Sequence, residues 1–147
     1  MDQTATACLP RQAADPPLAV VGGTVFTRVY PGLAIQCQAV RTAVRTVLPS
    51  CPVASDAVLA ASELAANACL HSRSGLPDGR FTLTVHDRPG DYVHVTVTDQ
   101  GSDWDGDLST ITAHPHGLYL LRQLTQAQRV TGSKDGWTVG VVIAYPV

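Results

Sequence analysis

Lysine is almost missing from this chain: among 147 residues Lys134 is the only one, set against nine scattered arginines. The formal net charge is −2 and the isoelectric point lies near 6.1. With no basic excess there is nothing to gather a phosphate backbone by counterion release, which argues against nucleic-acid binding. Long apolar runs are missing as well, since none approaches the ~18–20 residues that cross a bilayer. Met1–Ala14 has neither a basic segment nor an apolar one, so no signal peptide is visible. The expectation is a cytoplasmic protein with no membrane partner. Cysteine is sparse, and Cys8, Cys37, Cys51 and Cys69 stand in no C-x-x-C or finger spacing. That argues against zinc and leaves four structural thiols.

What is present is apolar: 45% of residues are hydrophobic and only 15% charged. This is ample surface to offset chain entropy within one domain, and disorder is excluded as the main state. Residues 1–22 contain Ala, Gln and Pro without periodicity, with a break at Asp15-Pro16-Pro17, and read as a loose arm. Residues 23–147 then form one domain. Val25–Tyr30 reads as a strand ended by Pro31-Gly32, and Leu33–Leu48 as a helix stopped by Pro49. Ser55 is the expected N-cap of a second helix running to His71. Phe81–His86 and Tyr92–Thr98 read as a hairpin around Arg88-Pro89-Gly90-Asp91. A polar loop, a short helix over Leu118–Leu124, and strands at Arg129–Thr131 and Thr138–Tyr145 complete the chain. Strands and helices do not alternate regularly. The expected class is therefore α+β, a two-layer sandwich with a mixed, mostly antiparallel sheet covered on one face by helices.

Three clusters carry candidate chemistry. At ~100° per residue, Glu63, Asn67 and His71 fall in one quadrant of the second helix, beside an apolar sector of Val58, Ala61, Leu64, Ala65 and Ala68. This is either the solvated edge of an amphipathic helix or a site holding a proton acceptor, a ligand for a hard cation and a phosphate contact. Asp99-Gln100-Gly101 ends an alternating strand. It is either a simple Asx turn or a carboxylate placed to accept from an exocyclic amine such as that of adenine. Gly117 opens an apolar helix after His114-Pro115-His116. Free N–H groups at such a start can meet an anion. The aspartates at 103, 105 and 107 do not fit a calcium loop. With Gly106 in the sixth position, Gly101 and Thr112 fall where Asp and Glu are required.

The order of these clusters is more specific than any one of them. A helix reading E-L-x-x-N-A-x-x-H, a hairpin, D-x-G, a loop, G-L-x-L and two closing strands resembles the ATP-binding fold of gyrase, Hsp90, histidine kinases and MutL. The chain is most similar to the small bacterial anti-sigma-factor serine/threonine kinases over about Val25–Val147, with Arg41 and Arg45 where that family has arginines on its first helix. The resemblance implies ATP and Mg²⁺ as ligands, with Asn67 holding the metal and Glu63 acting as general base. It implies His71 near the phosphates, Asp99 and Gly101 at adenine, Gly117 and Leu118 closing the lid motif, and Thr138 supporting Asp99. It further implies phosphorylation of an antagonist protein, sequestration of a sigma factor, and possible homodimerisation. The family's lid glycines are largely replaced by His114-Pro115-His116. That motivates an alternative, a partner-switching protein that binds without catalysis.

Overall fold

The computed structural model describes residues 23–104 and 127–147. The expected arm over residues 1–22 and the expected helix over Leu118–Leu124 lie outside the described residues. The elements run β1 (Thr24–Pro31), α1 (Gln36–Val47), α2 (Ala54–His71), a single 3-10 turn (Arg73–Gly75), β2 (Arg80–Arg88), β3 (Tyr92–Thr98), β4 (Ala127–Ser133) and β5 (Gly136–Ala144). The five strands form one sheet in the order β1-β2-β3-β5-β4. All described pairings are antiparallel. The architecture is the α+β one read from the sequence, but no parallel pair occurs among the described strands, so the sheet described is not mixed.

The helix layer rests on alternate positions of the strands. Val85 of β2 pairs with Val95 of β3, which pairs with Val141 of β5, and all three are at most 1% exposed. Each such buried Val contributes about 1.5–3 kcal/mol relative to an exposed one. Tyr30 and Phe81, opposite one another on β1 and β2, stack with ring centroids 5.5 Å apart. On α2, Ala57, Ala60, Ala61, Ala65 and Ala68 are buried, and their small side chains let the helix lie close to both neighbours. From α1 come Cys37, Val40 and Val44, at the i, i+3, i+7 spacing of one helical face. The guanidinium of Arg41 donates to Ser62 Oγ at 2.8 Å and ties the two helices at mid-length.

Two helix starts differ from the sequence reading. The first helix begins at Gln36 rather than Leu33, because residues 32–35 are wound more tightly: Gln36 N–H donates to Leu33 O and Cys37 N–H to Ala34 O. Ser55 is not the cap of α2. Val53 holds that position with no side-chain hydrogen bond, its own side chain buried. Burial of Val53 in the 48–53 turn thus decides the entry, overriding capping preference.

The face of the sheet away from the helices carries Thr82, Thr84, His86, His94, Thr96 and Thr98. His94 lies opposite His86 on β2 and Val142 on β5. Burial, reinforced by the nearby charges of His86 and Arg129, pushes its imidazole down to about 4. A histidine depressed in the folded state stabilises above its unfolded value of about 6.5, and that contribution is lost as pH falls through 4. Protein with His94→Gln should therefore show a flatter stability curve between pH 6.5 and 4, the wild type losing on the order of 2–3 kcal/mol more. Parallel curves from urea unfolding would assign the acid sensitivity to other groups.

Candidate functional site

The stripe on α2 is not uniformly solvated. Glu63 is only 5% exposed, Asn67 one turn on is half-buried, and His71 at the helix end is exposed. The stripe thus climbs from core to surface, which corrects the simple picture of a wet helix edge. Asn67 Oδ1 is itself buried, with no hydrogen-bond partner among the described residues. An amide oxygen held this way is costly. It is a ready ligand for a hard cation, which takes carbonyl oxygens.

Asp99 follows β3 directly and anchors to the strand beside it. Its N–H donates to Trp137 O at 2.8 Å, while its Oδ1 accepts from Trp137 N–H at 3.0 Å and Gly101 N–H at 2.7 Å. Both backbone donors land on Oδ1, and among the described residues Oδ2 is the acceptor not already taken. Burial pushes the Asp99 carboxyl up from its ordinary value, opposed by those two N–H groups and by the positive charge of Arg73. Gly101 has φ +96°, and a Cβ there would stand 1.9 Å from Lys134 O. The glycine is required both by its backbone angle and by this close approach.

A small cleft, open to solvent at its mouth, lies between α2 and the sheet at this point. From α2 it is lined by Leu64, Asn67 and Ala68, from the sheet by Val97 and Val139, and from the loop by Asp99 and Trp104. Apolar walls with a carboxylate and an amide suit a flat heteroaromatic ring bearing an amine. Of the residues singled out in the sequence, the structure brings Asn67 and Asp99 together on this cleft, with Gly101 buried in the turn behind Asp99. Glu63 and His71 share the helix but do not line the cleft. Thr138 is directed to the opposite face of the sheet, where its hydroxyl lies 2.8 Å from that of Thr98; its neighbour Val139 faces the cleft. Gly117 and Leu118 lie outside the described residues.

Four residues at the site have no motif in the sequence reading. Trp104 packs edge-on against Trp137 with centroids 5.1 Å apart. Ser74, wholly buried, accepts from Gln100 N–H at 3.0 Å. Arg73 N–H donates to Gly101 O at 2.8 Å, and its guanidinium donates to Lys134 O. Aromatic weight in a chain with two tryptophans was the one available signal for the tryptophan pair. Arg73 and Ser74 act through contacts far apart in sequence, which no local pattern encodes. Among the described residues no three His, Cys, Asp or Glu gather into a metal cage, and no helix is long and apolar enough to cross a membrane.

Among the described residues, two helices over an antiparallel sheet, with a cleft between the layers, define an α+β sandwich. The profile of the histidine kinase-like ATPase domain matches residues 32–143, and the chain belongs to that family of ATP-binding domains. No curated protein matches it.

Proposed function

We propose that the protein binds Mg-ATP and acts on a regulatory protein partner, as an anti-sigma-factor serine/threonine kinase does. One observation carries this reading. Asn67, whose Oδ1 has no hydrogen-bond partner among the described residues, and Asp99 line the same cleft, one from the helix layer and one from the loop after β3. Asp99 accepts the adenine 6-amine, and the apolar side chains of Leu64, Val97 and Val139 enclose the ring. Asn67 holds Mg²⁺, which when bound neutralises charge on the phosphoryl oxygens. A magnesium ion keeps several waters and needs few protein ligands. Glu63, one turn before Asn67, orients the acceptor hydroxyl and takes its proton. The partner is a sigma factor or its antagonist, the second supplying the Ser or Thr.

Calorimetric titration with Mg-ATP tests the binding step, and no heat up to millimolar nucleotide would overturn the reading. The chemical step is tested separately with an antagonist protein as acceptor. Glu63→Gln should lower phosphoryl transfer about 10²–10⁴-fold with ATP affinity unchanged. Transfer at the wild-type rate would leave Glu63 as a buried structural group. The replacement of the lid glycines by His114-Pro115-His116 favours a second reading, a partner switch that binds without transfer, because Pro115 removes a backbone N–H that could grip phosphate. Robust transfer to any partner would eliminate it.

A further inference from the structure

Arg73 lies just beyond α2, outside the cleft lining, yet it touches both segments that hold Asp99. Its backbone N–H donates to Gly101 O, two residues after Asp99. Its guanidinium donates to Lys134 O at the β4–β5 turn. That same carbonyl is the atom that closes on the bare Cα of Gly101. Lys134 O is thus clamped between the Arg73 guanidinium and Gly101. Three residues along the hairpin, Trp137 N–H donates to Asp99 Oδ1. A continuous path therefore runs from Arg73 through Lys134 O and the hairpin to the Asp99 carboxylate. On the other side of the same turn, Ser74 Oγ accepts from Gln100 N–H, and Gln100 Oε1 accepts from Arg80 N–H.

We infer that Arg73 is a positioning residue for Asp99, pinning the β4–β5 turn so that Oδ2 meets the amine of the bound base, and joining the helix of Asn67 to the base-reading loop. The inference rests on the ATP reading above, and goes beyond it by assigning specificity to a residue that does not line the cleft. Charge adds to position. The positive charge of Arg73 favours ionised Asp99. Among the described residues, the others that line the cleft or bond Asp99 are neutral or apolar: Asn67, Leu64 and Ala68 on α2, Val97 on β3, Trp137 and Val139 on β5, and Trp104. Charged residues also stand at Asp103 on its own loop and at Lys134 and Asp135 in the β4–β5 turn, whose backbone packs on Gly101.

The test compares the wild type, Arg73→Met and Arg73→Lys for binding of ATP and of purine riboside triphosphate, which lacks the 6-amine. A merely structural role would weaken both nucleotides alike. A positioning role weakens ATP selectively. We expect the wild type to prefer ATP by about tenfold or more, as for a hydrogen bond to a charged group. Arg73→Met should bring that ratio close to one with the analogue's affinity little changed, and Arg73→Lys should restore part of it. The acidic limb of ATP binding should also move to higher pH in Arg73→Met, since the carboxylate loses its supporting charge. An unchanged ratio in Arg73→Met, or equal weakening of both nucleotides, would overturn the inference while leaving the ATP reading intact. A wild type that binds both without preference would overturn the role of Asp99, and one that binds neither would sink the ATP reading and this inference with it. Arg73 is exposed, so the variants should fold, and thermal unfolding of each verifies it.

Discussion

Asp99→Asn should abolish most ATP affinity without weakening the fold. The two backbone N–H groups that converge on Oδ1 require an acceptor there, so they set the orientation of the replacement amide. Its oxygen takes the Oδ1 position, and its NH₂ is left at the cleft. A donor then meets the donor amine of adenine. The loss is that of a charge-assisted hydrogen bond, about 1.5–3 kcal/mol, with an unmatched donor in addition. Together these correspond to roughly a hundredfold weaker binding at ~1.4 kcal/mol per decade. The same geometry predicts a gain for a base carrying a carbonyl at that position, so inosine triphosphate should bind the variant better than ATP does. Stability should move the other way. A carboxyl raised in the folded state stabilises most fully below its unfolded value and loses that contribution as pH rises through the folded one. The neutral amide escapes this loss, so the melting temperature at pH 7 should hold or rise. Calorimetric titration and thermal unfolding of the one variant check both halves. ATP affinity within threefold of wild type would remove Asp99 from base recognition.

The second large effect is structural. Gly101→Ala meets two penalties at once: φ +96° and a Cβ 1.9 Å from Lys134 O and 2.8 Å from Asp135 C. The backbone angle alone costs about 1–2 kcal/mol. The overlap is with backbone and cannot be relieved by a rotamer change, so the hairpin turn must move. We expect a total of about 3 kcal/mol or more, a large share of the ~5–15 kcal/mol that holds a domain together. Gly90→Ala is the matched control, since Gly90 has φ +83° and nothing within 4 Å of its added Cβ. It should cost about 1–2 kcal/mol. Urea unfolding compares them. Equal losses would mean that the turn at Lys134 yields easily and that the close approach is not tight.

Much of the fold is legible in the sequence, for identifiable reasons. Val93, Val95 and Val97 alternate with polar residues because one face of β3 packs on helices and the other does not. Arg88-Pro89-Gly90-Asp91 announces its turn because Gly90 must take a positive φ, and Asp91 N–H donates to Arg88 O as a tight turn requires. The start of α2 was not legible, since burial of Val53 outweighs the cap chemistry of Ser55. At the site, Asn67, Asp99 and Gly101 stand out by residue type and order. Their depth does not, because the helical period gives a direction and not a distance from solvent: Glu63 and His71 share an angle and differ wholly in burial. Thr138 shows a similar limit. Its place on β5 is correct, but the strand's two-residue period turns its hydroxyl toward Thr98 and offers Val139 to the cleft.

The cleft has one wall on the helix layer and the other on the sheet. A molecule filling it therefore bridges the two halves of the sandwich, and its binding free energy is drawn on whenever they separate. At a hundred times the dissociation constant this linkage adds about 2.7 kcal/mol to global stability. The coupling works in both directions. A change that destabilises the domain far from the cleft, such as loss of the Arg41–Ser62 hydrogen bond between α1 and α2, lowers apparent affinity only by the folded fraction it removes. The same ligand therefore offsets such a loss in the stability of the domain while its intrinsic affinity stays as it was.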